Sequence, residues 1–340
     1  MSSTIAVIIG RFQILQRGHG TLLQAALAVA PKVVIVIGSA FRARDAHNPF
    51  TWEERKQQFE AVLTPEQRQR VEFLPVRDYY DDQRWGDAVR TGLERVAGRG
   101  AQVTLVGFKK DHTSGYLDAF PGWTVHEVEP QVDISASDLR RVYFETPNTS
   151  AALTVIGNYV EPGVRDYLQA WAQLPAYRQC QAEHRAVVAY REKYTQPFSI
   201  TSDSVVTTRQ HVLLIKRGGT IGHGLWALPG GFVEPWERFY PAAVRELAEE
   251  TGYKPHPAQL RAALKSSAVF DHPLRSPRGR IITNAFHFDL GDAEFPDVQG
   301  ADDAKLAQWI PIAQLPSLES QLFEDHACIL DHFVGLYPAP

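Results

Sequence analysis

The segment that most constrains this chain is the 23-residue run Gly231 to Tyr253, GFVEPWERFYPAAVRELAEETGY. Its pattern is a glycine, an acid six residues on, then Arg-Glu-apolar-x-Glu-Glu-x-Gly-apolar. Gly231, Glu237, Arg245, Glu246, Leu247, Glu249, Glu250, Gly252 and Tyr253 fill the specified places. Positions three and four apart share a helix face, so Glu246, Glu249 and Glu250 crowd one side of any helix here. Such crowding weakens a helix unless a hard cation offsets the repulsion. Mg2+ suits an all-oxygen donor set and keeps waters and substrate phosphates in its shell. Gly252 reads as the helix stop, with Pro255 soon after. The competing account is a solvated acidic face.

The length of 340 residues suits two domains, and 44% hydrophobic with 22% charged residues is ordinary for globular proteins. A formal net charge of -4 argues against a dedicated nucleic-acid binder. Cys180 and Cys328 provide neither a disulfide framework nor zinc spacing. The start MSSTIAVIIG lacks a basic leader, and apolar runs such as Val33 to Ile37 are too short for a bilayer. A soluble, cytoplasmic protein without a membrane partner is expected. A homo-oligomer is left open.

Short β-branched runs at 4–9, 33–38, 71–76 and 103–108 alternate with helical patterns near 19–30, 52–63 and 84–97. Near-continuous apolar strands between helices imply βαβ units and a buried parallel sheet. The residues from Tyr159 to Lys193 read as helical. Strand-like pieces follow at 203–208, 211–217, 281–289 and 306–310, an α+β pattern. The expected domains are 1–180 and 195–340, joined by a helical connector near 175–195.

In the first half, Gly10-Arg11-Phe12-Gln13 closes a strand and Gly18-His19 opens the next helix. A strand, a glycine-containing loop and a helix N-terminus make an anion site, although a plain βα turn reads the same way. Ile134-Ser135-Ala136-Ser137-Asp138-Leu139-Arg140 suggests another helix start, with Ser135 or Ser137 as cap and Arg140 as a phosphate-binding cation. Gly38-Ser39, the run from Asn48 to Arg55, and Gly107 to Asp111 also follow strands, where open α/β sheets bind ligands.

These motifs resemble nucleotidylyltransferases of the HxGH class, specifically archaeal-type nicotinamide mononucleotide (NMN) adenylyltransferases. The acidic run resembles the box of the Nudix hydrolases. Order and length together resemble bacterial bifunctional proteins that join the two. The resemblance implies a Rossmann-like nucleotidylyltransferase domain followed by a Nudix fold. It implies adenylyl transfer from ATP to NMN, giving NAD and pyrophosphate. It also implies Mg2+-dependent hydrolysis of ADP-ribose to AMP and ribose 5-phosphate. For the first reaction it assigns His19, Arg11 and Arg140 to catalysis, and Gly10, Phe12, Gln13, Gln16, Gly18, Gly38, Ser39, Asn48, Trp85, Gly107, Lys109, Asp111, Ser135 and Ser137 to substrate. Trp85 could stack on nicotinamide or simply pack its helix. For the second it gives Glu246, Glu249, Glu250 and Gly231 to the metal site, and Arg245 to orient a glutamate. Glu250, Asp302, Asp303 and Glu324 are candidate bases, and Arg275, Arg278 and Arg280 would wrap a diphosphate. One departure is clear: Gln16 stands where the family's first histidine falls. Two other readings are a Nudix domain that senses ADP-ribose and regulates the transferase, and a first domain that is a weakened or different nucleotidylyltransferase.

Overall fold

The computed structural model describes residues 4–108, 120–129 and 134–338, so Lys109 and Asp111 lie outside the described residues. The chain divides into two compact units, Met1–Ala182 and Glu183–Pro338. Among the described residues no helix is long and apolar enough to cross a membrane.

In the first unit the strands β1 (Thr4–Gly10), β2 (Lys32–Ile37), β3 (Val71–Pro75), β4 (Gln102–Gly107) and β5 (Thr124–Glu127) form a sheet ordered β3-β2-β1-β4-β5. Every neighbouring pair is parallel. The continuous apolar run of β1 is explained by burial on both faces: Ala6 and Ile8 enter one core, and Ile5, Val7 and Ile9 the other. β2 repeats the alternation, with Val33, Ile35 and Ile37 against Val34 and Val36. Helices α1 (Arg17–Val29), α2 (Trp52–Glu60), α3 (Pro65–Arg68), α4 (Asp82–Ala97), α5 (Ala136–Glu145), α6 (Thr149–Ile156) and α7 (Pro162–Trp171) complete the unit. The chain leaves β1 for β2 on one side and has β4 on the other, so the strand order reverses at the carboxyl end of β1. Ligands of such sheets bind at that crevice.

Helix α8 (Pro175–Lys193) occupies the expected connector, and the division between units falls within it. The second unit holds a mixed sheet with the path β10-β11-β6-β7-β12, where β6 is Ser199–Thr208, β7 His211–Arg217, β10 Leu264–Phe270, β11 Ile281–Asp289 and β12 Ala304–Pro311. Two short strands, β8 (Trp226–Ala227) and β9 (Gly230–Phe232), pair with β7 and β6. On one face α9 (Phe239–Thr251) buries Ala243 and Leu247 against Val206, Leu213 and Ile215; α10 (Pro257–Ala263) adds Leu260. On the other, α11 (His326–Val334) packs Ile329 and Leu330 on Val205, Val212 and Leu214. Gly252 takes φ +67° at the end of α9, the left-handed stop expected of it.

Candidate functional site

The carboxyl ends of β1 and β2 are tied together by one side chain. Arg55, on α2 and 1% exposed, donates to the carbonyls of Arg11 (2.7 Å), Gly38 (2.6 Å) and Ser39 (3.1 Å). Burial draws its pKa down to about 9, and the Arg11 guanidinium lowers it further against nearby acids. Arg140 is also buried, donating to the Gln13 carbonyl at 3.1 Å and to Ser137 Oγ at 2.9 Å. Its pKa falls to about 10, first through burial and then through Arg11. Three guanidiniums therefore converge at one rim, and Arg11 is exposed there. Like charges held together in a desolvated place suit a polyanion.

His19 sits in the first turn of α1, where its Nδ1 accepts from the Gln16 N–H at 3.2 Å and its ring meets Phe12 edge-on at 5.0 Å. An accepting Nδ1 places the neutral ring's proton on Nε2. Gln16 Oε1 is buried and without a hydrogen-bond partner. Phe12, Ile14, Ser39, Phe41 and Tyr80 all adopt positive φ, between 49° and 80°. A Cβ on Gly10 would come within 2.8 Å of the Phe12 ring, so that strand end requires glycine. Gly18 is buried, with Phe108 the nearest neighbour to a Cβ there.

Several residues expected to touch substrate are engaged within the fold. Gln13 clamps Phe50, donating to its carbonyl at 3.1 Å and accepting from its N–H at 3.0 Å. Asn48 donates from its backbone to Asp45 at 2.7 Å and from its amide at 3.2 Å. Ser39 donates to Asp78 at 3.0 Å. Arg42 bridges Asp78 and Asp45, each at 3.0 Å. Ser135 is the N-cap of α5 in a reciprocal box with Asp138. Trp85 packs beside Phe120 on the second core, the packing alternative for that ring. Gly107 ends β4 and its carbonyl accepts from Val128. Nothing in the sequence sets Arg55 apart from its neighbours, because a buried arginine on a helix leaves no periodic mark. Arg55→Lys should cost the first unit about 1–3 kcal/mol, because a point donor leaves buried carbonyls unpaired. Calorimetry would show this as a lower unfolding midpoint; an unchanged midpoint would remove Arg55 as the tie.

In the second unit, Arg245 gathers the acidic cluster. Its Nε and Nη2 grip both oxygens of Glu237 at 2.8 Å, while Nη1 reaches Glu246 (2.8 Å) and Glu249 (2.9 Å). Glu237 foremost, with the other glutamates, raises the arginine's pKa, and Arg245 in turn lowers that of Glu237. Glu250 makes no bond to Arg245; 5% exposed, it accepts from the Gly230 N–H at 2.9 Å. Burial, reinforced by Glu246 and Asp203, lifts its pKa to about 8; burial also raises Glu246 and takes Asp203 to about 6. Gly231 leaves room for a carboxylate, since a Cβ there would lie 2.5 Å from Glu246. Among the described residues no three metal-binding side chains are close enough to hold an ion as they stand. The donor set nevertheless fits a hard cation, being oxygen throughout and short of positive charge at Glu250. Nothing in the sequence marks Asp203, on β6, because a lone acid in a strand rich in serine and threonine follows no spacing rule.

The arginine loop is arranged differently from expectation. Arg275, 2% exposed, forms a bidentate pair with Asp325 at 2.8 Å for each bond. Arg278 engages Glu324 at 2.9 Å twice. Arg280 pairs with Asp271. With their forks on carboxylates, Arg275 and Arg278 shape the loop rather than offering open forks to a diphosphate. Glu324 is buried and bonded to Ser276 and Arg278; Asp302 and Asp303 are exposed, and Asp302 adds to the charge felt by Glu246.

Residues 199–333 match the family model described as NUDIX domain, and residues 7–142 the one described as Cytidylyltransferase-like. The chain is 33% identical over 181 residues to a nicotinamide/nicotinic acid mononucleotide adenylyltransferase from Acinetobacter baylyi, covering 53% of this chain and 93% of that protein. It is 37% identical over 125 residues to an ADP-ribose pyrophosphatase from Methanocaldococcus jannaschii, covering 37% and 68%. A crystal structure from Francisella tularensis, a bifunctional NMN adenylyltransferase/ADP ribose pyrophosphatase complexed with AMP and a manganese ion, superposes with TM-score 0.89 at 31% identity, covering 98% of each chain.

Proposed function

We propose one reaction for each unit, on the premise that the chain belongs to the family of bifunctional NMN adenylyltransferase/ADP-ribose pyrophosphatases. The first unit transfers the adenylyl group of ATP to NMN, giving NAD and pyrophosphate. The observation that carries this is the convergence of Arg11, Arg55 and Arg140 beside His19 at the reversal point of a parallel sheet. Phosphoryl chemistry of this kind depends on positioning and charge neutralisation. Arg11 and Arg140 face the triphosphate, and His19 donates from Nε2 to a phosphate oxygen as charge builds.

The second unit hydrolyses ADP-ribose to AMP and ribose 5-phosphate. Glu246, Glu249 and Glu250 would hold Mg2+, which supplies Lewis-acid polarisation of the phosphate and an activated water. Arg245 holds Glu246 and Glu249 in place until a cation competes for them. Glu250, buried and held by the Gly230 N–H, is a candidate to take the proton of the attacking water. All three box glutamates are retained, which favours hydrolysis over a purely sensory domain. Both reactions handle intracellular nucleotides, and we place the protein in the cytoplasm.

Purified protein assayed with NMN plus ATP, and separately with ADP-ribose, each with and without chelator, tests the pair. Failure of either substrate to turn over in the presence of Mg2+ sinks that half. Gln16→His restores the residue that the family carries and is expected to raise adenylyl transfer or leave it unchanged, measured as kcat for NAD formation. A large loss would mean that the space around Gln16 Oε1 serves another arrangement.

A further inference from the structure

Two loops of the second unit are pinned by one stripe of the connector helix. Glu183, Val187, Tyr190 and Arg191 follow the i, i+4, i+7, i+8 spacing of a single face of α8, in the part that belongs to that unit. Glu183 accepts from the Gly222 N–H with both carboxylate oxygens, at 3.1 and 3.3 Å. Val187 is buried, the Arg278 guanidinium lies 5.7 Å from the Tyr190 ring, and Arg191 donates to the Pro277 carbonyl at 3.0 Å. Both loops reach Phe323. Arg278 lies 5.4 Å and Arg217 4.0 Å from the centre of its ring, and a Cβ on Gly222 would run into it.

Arg217, at the end of β7, differs from the loop arginines in being uncommitted. Its Nε donates to the Ile221 carbonyl at 3.2 Å, and its two terminal nitrogens bond nothing among the described residues. Along β7 it alternates with Leu213 and Ile215, which lie under α9, so it belongs to their face of the sheet. The Gly218 N–H donates to the Asp303 carbonyl at 2.8 Å, and the Ala301 N–H to the Glu250 carbonyl at 3.1 Å. One turn therefore joins the end of β7 to the end of α9, and Glu250 and Arg217 act on each other's charge. Burial and then Arg278 lower the pKa of Arg217, with Glu324, Glu250 and Asp303 opposing. A desolvated guanidinium with a bare fork suits a phosphate, which it can grip with two donors.

We propose that Arg217 is the cation that takes the diphosphate of the substrate cleaved at the glutamates, and that Glu183 is a positioning residue that holds it there through the Gly222 turn. This deepens the reading of the second unit and rests on it. The relay is short. Glu183 fixes Gly222, the Ile221 carbonyl one residue earlier orients Arg217 Nε, and the Phe323 ring backs the guanidinium. The part of α8 beyond Ala182 is then a working piece of the hydrolase as well as a connector.

Full-length Arg217→Ala should raise KM for ADP-ribose about 10- to 100-fold, the loss of a charge-assisted hydrogen bond, with kcat changed less. Glu183→Ala should raise KM about 3- to 10-fold, and Glu183→Gln, whose amide oxygen still accepts from Gly222, should stay near wild type. On the Arg217→Ala background Glu183→Ala should add nothing, because its effect passes through the arginine. A KM for Arg217→Ala within about twofold of wild type overturns the assignment, and a full Glu183 effect on that background overturns the positioning. If Arg217→Ala folds poorly, Arg217→Gln is judged by the same limits. A wild-type protein that hydrolyses no ADP-ribose sinks the parent reading alone. Calorimetric titration with ADP-ribose then still decides: binding weakened by the same factor in Arg217→Ala upholds the assignment, and an unaltered isotherm ends it.

Discussion

His19→Ala is expected to lower NAD formation by about two to three orders of magnitude, the loss typical when one donor aimed at transition-state charge is removed. The geometry makes the reason specific. Nδ1 accepts from the Gln16 backbone at 3.2 Å and the ring is braced by Phe12, so Nε2–H is held in one direction. An alanine keeps the helix but removes both the donor and its bracing. The effect should fall on kcat for NMN plus ATP, with ADP-ribose hydrolysis unaffected in the same sample. Turnover within a few fold of wild type would take His19 out of the mechanism and leave the arginines to do the work alone.

Glu250→Gln is expected to reduce ADP-ribose hydrolysis at least about 100-fold, since substitutions merely behind a metal's ligands already cost about 10–100-fold. NAD synthesis should persist. Glutamine preserves shape and can still accept from the Gly230 N–H, so the fold has no reason to suffer. Removing a desolvated carboxylate should even steady the metal-free protein at neutral pH. With its pKa raised to about 8 from an ordinary 4.5, Glu250 contributes stability below about pH 4.5 that fades as pH climbs through 8. Normal hydrolysis by the variant would place the metal elsewhere; a joint loss of NAD synthesis would show that the two activities are coupled.

The first unit's sheet was readable because burial on both faces forces long β-branched runs, and β1, β2 and β4 fall within a residue or two of the expected limits. β5, Thr124–Glu127, escaped notice: it is an edge strand whose residues are all exposed, so no apolar pattern marks it. The same holds for β10, exposed along much of its length. At the second site the spacing of glutamates announced α9 and its glycine stop. Spacing could not say that Arg245 would bond Glu246 and Glu249, because the arginine's direction depends on Phe232 and Glu237 arriving from other segments. The ion pairs of the loop arginines were unreadable for a related reason. Their partners Glu324 and Asp325 lie more than forty residues on, and nothing local distinguishes a paired arginine from an open one.

The left-handed residues at the rim of the first sheet bear on how such a protein can change over time. Phe12, Ile14, Ser39, Phe41 and Tyr80 each hold a backbone shape that favours glycine, at about 1–3 kcal/mol apiece for sparsely populated regions. Ile14 is the most costly of these, being β-branched and wholly buried. Selection for hardiness alone would drift toward glycine at these places and relax the turn that aims His19 and Arg11. Extra stability for such a protein would therefore have to come from elsewhere in the molecule.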